Sequence, residues 1–228
     1  MHFLNARWED LILANYEVDP QVLEPYVPGG TLLDLFEGQC FVSLVAFMFK
    51  KTRVMGIPVP FHRNFEEVNL RFYIHPEGEP EKRSVAFIKE IVPRSVIPLI
   101  SNTLFKEHYV ATRMSHKIAP PNIEYTWGAN LMSRIAINLT NKPARPASGS
   151  IEEFITEHYL GFTKHPGGTI QYEVFHPQWE VATVTDSQID VDFAMNYGED
   201  FAFLNDATPV NLCYTKGSDV SVSFPSRL

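Results

Sequence analysis

Cysteine is scarce in this sequence. The two present, Cys40 and Cys213, stand in the apolar, strand-like runs Gln39-Cys40-Phe41-Val42 and Asn211-Leu212-Cys213-Tyr214. A disulfide framework takes more cysteines in a smaller chain, so both are expected as buried thiols in a reducing cytoplasm. No apolar run approaches the roughly 20 residues of a membrane span; the longest, residues 41–49, has strand length. Residues 1–8 carry no charged-then-apolar signal pattern, so a cytoplasmic location and no membrane partner are expected. Positive charge is also in short supply: 19 Lys and Arg stand against 27 Asp and Glu, for a net charge of −8. The cations are scattered, with only short pairs such as Lys50-Lys51 and Lys82-Arg83, which read as solvated strand ends. Nucleic-acid binding needs a basic stripe that displaces counterions from phosphates, so no nucleic-acid partner is expected.

Cofactor and metal signatures are missing as well. There is no Gly-x-Gly-x-x-Gly, P-loop or Gly-x-Ser-x-Gly, and no cofactor is expected. No two of the eight histidines stand four apart and no Cys-x-x-Cys occurs, so no metal site is expected.

What is present is β-rich. Short apolar runs are broken by Pro, Gly and Asn every 10–20 residues or so, the spacing of a strand-rich fold. Strands are expected at residues 11–18, 65–74, 84–92, 109–118, 123–127, 131–139, 169–175, 179–187, 210–214 and 220–224, with 31–36 and 39–49 as a pair. Helices are expected at 21–26, capped by Asp19 with Pro20 at the first position, at 96–105, and from 151 to about 158, where Ser150 and Glu153 form a capping box. The Pro- and Ala-rich stretch 141–150 reads as a surface excursion within one domain of residues 1–228.

The chemistry concentrates at residues 65–74, Phe-Glu-Glu-Val-Asn-Leu-Arg-Phe-Tyr-Ile. Side chains alternate across a strand, so Val68, Leu70, Phe72 and Ile74 share one face and Glu67, Asn69, Arg71 and Tyr73 the other. That polar face is either solvated, as in many half-exposed strands, or the wall of a polar cavity. In a cavity, Arg71 suits a carboxylate through its rigid fork of donors, and Glu67 can handle a proton once burial raises its pKa. If residues 108–114 are extended, Tyr109 and Arg113 share a face and His108 points the other way.

Glu-Val-Asn-Leu-Arg-Phe-Tyr-Ile at 67–74 resembles the Glu-x-Asn-x-Arg-x-Tyr strand of the YqjF-like relatives of acetoacetate decarboxylase. The order around it is similar too: Val18-Asp19-Pro20, Val27-Pro28, the strand pair after Leu33-Asp34, the 84–92 strand, the helix and the segment 109–114. Later, Thr156-Glu157-His158-Tyr159 resembles a Thr-Glu-Arg-Tyr segment with His158 in place of Arg, and His176-Pro177-Gln178-Trp179 a His-x-x-Trp turn. The resemblance implies a β-rich α+β fold: a closed antiparallel, cone-like barrel around a small-molecule pocket, with a few peripheral helices.

Acetoacetate decarboxylase uses a lysine imine, its lysine lying in a Pro-Lys-Lys segment after a helix. The matching place here reads Phe105-Lys106-Glu107-His108-Tyr109, without that motif. Glu107 stabilises the charged form of Lys106 and blunts it as a nucleophile. Lys89, followed by Glu90, is expected at the surface. The resulting expectation is an enzyme or former enzyme acting on a small organic acid or carbonyl compound without a lysine imine. Glu67 and Arg71 are its catalytic candidates, and Asn69, Tyr73, Tyr109 and Arg113 its ligand-binding candidates. The alternatives are a non-catalytic small-molecule binder or sensor, and a structural role with the polar face solvated. The expected partner is a small molecule, with homo-oligomer formation left open.

Overall fold

The computed structural model describes residues 2–60, 62–94, 108–165 and 167–228. Strand β1 (Leu4–Val18) opens the chain and feeds the short helix α1 (Pro20–Leu23), where Asp19 Oδ1 accepts from the Gln21 amide at 2.9 Å. A 3₁₀ turn at Glu24–Tyr26 follows. Strand β2 (Thr31–Leu33) is short, and β3 (Cys40–Val54) is as long as β1. The expected pairing of 31–36 with 39–49 does not form. Glu37 and Gly38, at φ 51° and 83°, make a tight turn that joins only Phe36 to Gln39. β2 instead runs beside residues 74–76.

After the two-residue β4 (Ile57–Pro58) come β5 (Phe65–Pro76) and β6 (Ser84–Val92). The helix expected at 96–105 lies outside the described residues. The strand expected at 109–118 is broken at Thr112 and Arg113 into β7 (Tyr109–Ala111) and β8 (Met114–Ala119). β7 runs parallel to β6, whereas β8 begins a second sheet with β9 (Asn122–Trp127) and β10 (Ser133–Asn138). Helix α2 (Ile151–Thr156) is capped by Ser150, whose Oγ accepts from the Glu153 amide at 3.2 Å. Glu153 reaches back to the Gly149 amide, at 2.7 Å, one residue beyond the usual capping-box partner.

The chain continues as β11 (Leu160–His165), β12 (Gly168–Phe175), β13 (Ala182–Thr183) and β14 (Asp186–Asp190). Helix α3 (Phe193–Tyr197) and a 3₁₀ stretch at Glu199–Asp206 follow; neither was expected, although Asp192 caps α3 by accepting from the Met195 amide. β15 (Asn211–Thr215), β16 (Asp219–Val222) and β17 (Ser226–Arg227) end the chain. Among the described residues, no helix is long and apolar enough to cross a membrane.

Seven strands close into a barrel in the order β1-β16-β12-β11-β6-β5-β3, with β3 returning to β1. Neighbours in the ring are antiparallel except β6 and β11, which are parallel. Closure satisfies edges that an open sheet would expose. β1 is antiparallel to β3 along nearly its whole length, with irregularities at Asn5/Arg7 and Glu9/Ile12. On its other side it pairs first with β16 and then with β15. Such bulges bend a strand and sharpen its twist.

The alternation of β5 is realised with its polar face inward. Val68, Leu70, Phe72 and Ile74 turn outward and are buried, packing in one cluster with Ile123, Tyr125, Trp127, Ile135 and Ile137 of the second sheet. That sheet converts what would be solvent-facing positions into a core. The barrel interior holds a second cluster, in which Phe154 and Ile155 of α2 pack with Phe41, Val45, Phe47, Tyr73 and Val85.

Inside the barrel a polar chain runs toward α2. Tyr73 OH lies 2.5 Å from Ser43 Oγ, which donates to Asn15 Oδ1. Asn15 Nδ2 donates to Asn211 Oδ1, and Asn211 Nδ2 to Glu152 Oε1, each at 2.8 Å. Because Ser43 uses its proton on Asn15, Tyr73 must donate to Ser43. Tyr73→Phe removes that donor together with the hydroxyl's contact to the Arg71 side chain, and is expected to cost about 1 kcal/mol. For a chain of this size that is a fall of about 2–4 °C in thermal melting.

Candidate active site

The inward face of β5 meets β6 at a register shift. Leu70 lies opposite Lys89 but Arg71 lies opposite Phe87, so Ile88 is an extra residue on β6. Val85 and Phe87 point into the barrel, and strict alternation would send Lys89 after them. The bulge sends Lys89 outward and Glu90 inward. Lys89 is therefore not the surface residue expected: it is half-buried beneath α3. Its Nζ donates to the Asn196 carbonyl and lies 5.9 Å from the centre of the Tyr197 ring. Burial lowers its pKa.

The interior retains a cavity of about 100 Å³. Aromatic rings form much of its wall, among them Trp8, Phe47, Phe49 and Trp179; its polar lining includes Glu67, Asn69, Arg71, Glu90, Tyr109 and His158. Glu67 and Glu90 are almost fully buried, at 3% and 2% exposure. Glu67 Oε1 accepts from Asn69 Nδ2 at 3.0 Å and Oε2 from Tyr109 OH at 3.3 Å. A carboxylate accepts and an amide NH₂ donates, so the Glu67 contact fixes which end of Asn69 is Oδ1. That oxygen is buried without a hydrogen-bond partner among the described residues.

Arg71 spans the wall between β5 and α2. One terminal nitrogen donates to the Ile155 carbonyl at 3.1 Å, one of the carbonyls left free at the end of α2. Its guanidinium carbon lies 5.7 Å from the centre of the Tyr73 ring. Its Nε is buried with no partner among the described residues. Gly161 makes room for the Tyr172 ring, which lines the cavity: a Cβ there would fall 2.3 Å from Tyr172 Cζ.

His158 follows α2. Its ring sits 4.7 Å from that of Tyr73 and 5.2 Å from that of Phe154. Nε2 stands 3.5 Å from Asp34 Oδ2, at the outer limit of a hydrogen bond. Burial pushes its pKa down to about 4; Arg71 and Arg83 add to the fall and Asp34 opposes it. His176 also lines the cavity, stacked 4.2 Å from Trp179, and burial lowers its pKa too.

Of the residues singled out from sequence, Glu67, Asn69, Arg71 and Tyr109 come together around the cavity. Tyr73 shares their face, but its hydroxyl is engaged by Ser43. Arg113 does not join them: the break between β7 and β8 leaves it exposed, and the shared face with Tyr109 does not form. Lys106 lies outside the described residues. Nothing in the sequence marks a role for Glu90 or Trp8, whereas His158 stands out as a replacement for Arg, His176 as part of a turn, and the two as histidines on different elements that could meet.

The closed barrel and the second sheet give the chain an acetoacetate-decarboxylase-like β-barrel fold. Acetoacetate decarboxylase from Legionella pneumophila superposes with a TM-score of 0.70 at 10% identity, over 99% of this chain and 86% of that one. The enduracididine biosynthesis enzyme MppR, in complex with pyruvate, gives 0.68 at 10% identity over 100% and 91%. An acetoacetate decarboxylase-like enzyme from Sphingomonas wittichii RW1 gives 0.66 at 13% over 100% and 94%. At such identities the likeness is one of fold. Within that class, residues 5–219 match the DUF2071 family, described as an uncharacterized conserved protein, and the chain belongs to it. The uncharacterized protein YqjF of Bacillus subtilis (strain 168) is 26% identical over 198 residues, 81% of each chain.

Proposed function

We propose that this protein binds a small organic acid or carbonyl compound in the barrel cavity and acts on it without a lysine imine. Arg71 anchors the ligand's carboxylate, Glu67 handles a proton, and Asn69 and Tyr109 hold Glu67 and orient the ligand. Tyr73 acts from behind, packing against Arg71. Arg113, outside the cavity, has no part.

The observation that carries this reading is Arg71. A guanidinium is kept among aromatic walls, steadied by one backbone carbonyl, with Nε left without a partner among the described residues. A buried donor without an acceptor is costly, and a carboxylate is the ligand group that best matches an arginine fork. The fold neighbours agree in kind: acetoacetate decarboxylase is named for a 3-oxo acid, and MppR has been seen with pyruvate, a 2-oxo acid. The lack of Pro-Lys-Lys and the outward turn of Lys89 support an imine-free site.

The test is thermal shift and calorimetry with pyruvate, acetoacetate and their hydroxy counterparts, followed by borohydride trapping read by intact mass. Ligand stabilisation is expected in the parent protein and a loss of affinity of roughly tenfold or more in Arg71→Met. Glu67→Gln is expected to keep the fold and abolish turnover; a change in affinity with no turnover in either protein would favour a binder or sensor. A borohydride-stable adduct would defeat the imine-free reading. If no acid stabilises the protein, the anion-anchor reading falls.

A further inference from the structure

The polar atoms left over around the cavity describe the ligand in negative. Among the described residues, Arg71 Nε and Trp8 Nε1 are buried donors without an acceptor at the cavity. Asn69 Oδ1 is an acceptor without a donor among the described residues, and cannot exchange places with Nδ2 while Glu67 accepts from that nitrogen. His158 supplies a second acceptor. Asp34 Oδ2 has no hydrogen-bond partner among the described residues and stands 3.5 Å from His158 Nε2. An imidazole beside such an oxygen places its one proton on that nitrogen. Nδ1 then keeps its lone pair, and it too is buried without a partner among the described residues. The rings of Tyr73 and Phe154 brace the imidazole from two sides.

An oxo acid satisfies only part of this set. Its carboxylate and carbonyl are acceptors, and they leave Asn69 Oδ1 and His158 Nδ1 unfilled. A hydroxyl on the carbon chain supplies the missing donor. We infer that the cavity selects a small hydroxy acid over the corresponding oxo acid, the carboxylate lying on Arg71 and the hydroxyl donating to Asn69 Oδ1 or His158 Nδ1. This rests on the anion-anchor reading above and narrows it to a substrate class. A site built to meet a hydroxyl rejects an analogue lacking it because its own buried groups stay unpaired.

The experiment is competitive calorimetry at pH 7 with two matched pairs, L- and D-lactate against pyruvate and 3-hydroxybutyrate against acetoacetate. At least one hydroxy acid is expected to bind roughly tenfold or more tightly than its oxo partner. Asn69→Leu and His158→Phe, each checked for native melting, are expected to shrink that ratio, with the larger effect marking the acceptor used. Equal or tighter binding of both oxo acids overturns the inference and leaves the anion-anchor reading standing. Failure of all these acids to bind defeats both. The comparison within the parent protein decides the matter even if neither variant folds.

Discussion

Gly217→Ala is expected to lower the melting temperature by about 6–12 °C, the equivalent of about 3 kcal/mol or more for a chain of this size. Gly217 makes the turn between β15 and β16 at φ +77°, where a side chain is strained whatever the space. Here there is no space either. A Cβ would stand 2.1 Å from the Trp8 carbonyl oxygen, 2.9 Å from its carbon and 2.7 Å from Leu11 Cδ1. The Trp8 backbone cannot yield cheaply. Its amide donates to the Ser218 carbonyl at 2.9 Å, and two residues on, the Asp10 amide donates to the Lys216 carbonyl at 3.3 Å. Asp10 itself holds a positive φ of 55°, and its buried carboxylate accepts from Tyr214 OH and Lys216 Nζ. The glycine thus clasps the place where β1 exchanges one neighbour, β16, for another, β15. Gly38→Ala is the control: φ is +83° but no atom lies within 4 Å of the added Cβ, so only backbone strain of about 1–2 kcal/mol applies. Circular-dichroism melts of the two variants separate the clash from the strain, and equal falls would refute the account.

The alternation of β5 was readable because period two is a local property of a strand. Which face turned inward was not. Glu67, Asn69 and Arg71 look like a solvated stripe until β8, β9, β10 and β14 cover the other side, packing residues from 123–137 and Ile189, distant in sequence, on Val68, Leu70, Phe72 and Ile74. The fold came through the ordered resemblance of many weak segments rather than through any one element. Glu90 was missed for a specific reason: one extra residue at Ile88 reverses the phase of β6, and nothing in Phe-Ile-Lys-Glu marks a bulge. The break at Thr112 and Arg113 is equally silent, since neither Gly nor Pro stands there. β2 was legible as a strand, but its partner was not, because a two-residue turn beside it invites the local pairing and β5 supplies the long-range one. His158 left a trace as an imidazole in a place where relatives were expected to carry arginine. Its burial and its approach to Asp34 depend on how α2 enters the barrel.

Stability is expected to fall by about 3 kcal/mol between pH 6.5 and pH 4 through His158 alone. Its folded pKa of about 4 lies below the ordinary value of 6.5. In that window the unfolded chain binds a proton that the folded chain refuses. The stabilisation is complete above the unfolded pKa and disappears as pH drops through the folded one, at about 1.4 kcal/mol per pH unit across the steep part. The cause is burial first. A protonated ring would also face the Arg71 and Arg83 guanidinium groups, with only Asp34 to oppose them. His176, likewise depressed by burial, acts in the same direction. Urea unfolding at pH 7, 5.5 and 4 measures the loss in the parent protein, and His158→Phe measures what remains. The variant is expected to lose markedly less stability over this range, whatever its stability at pH 7. Parallel losses in the two proteins would place the titrating group elsewhere. Imidazole NMR gives an independent reading: a His158 resonance titrating near 6.5 would contradict its burial, whereas one that stays neutral down to about pH 4 would keep Nδ1 free to accept a hydrogen bond throughout the range in which ligand binding is measured.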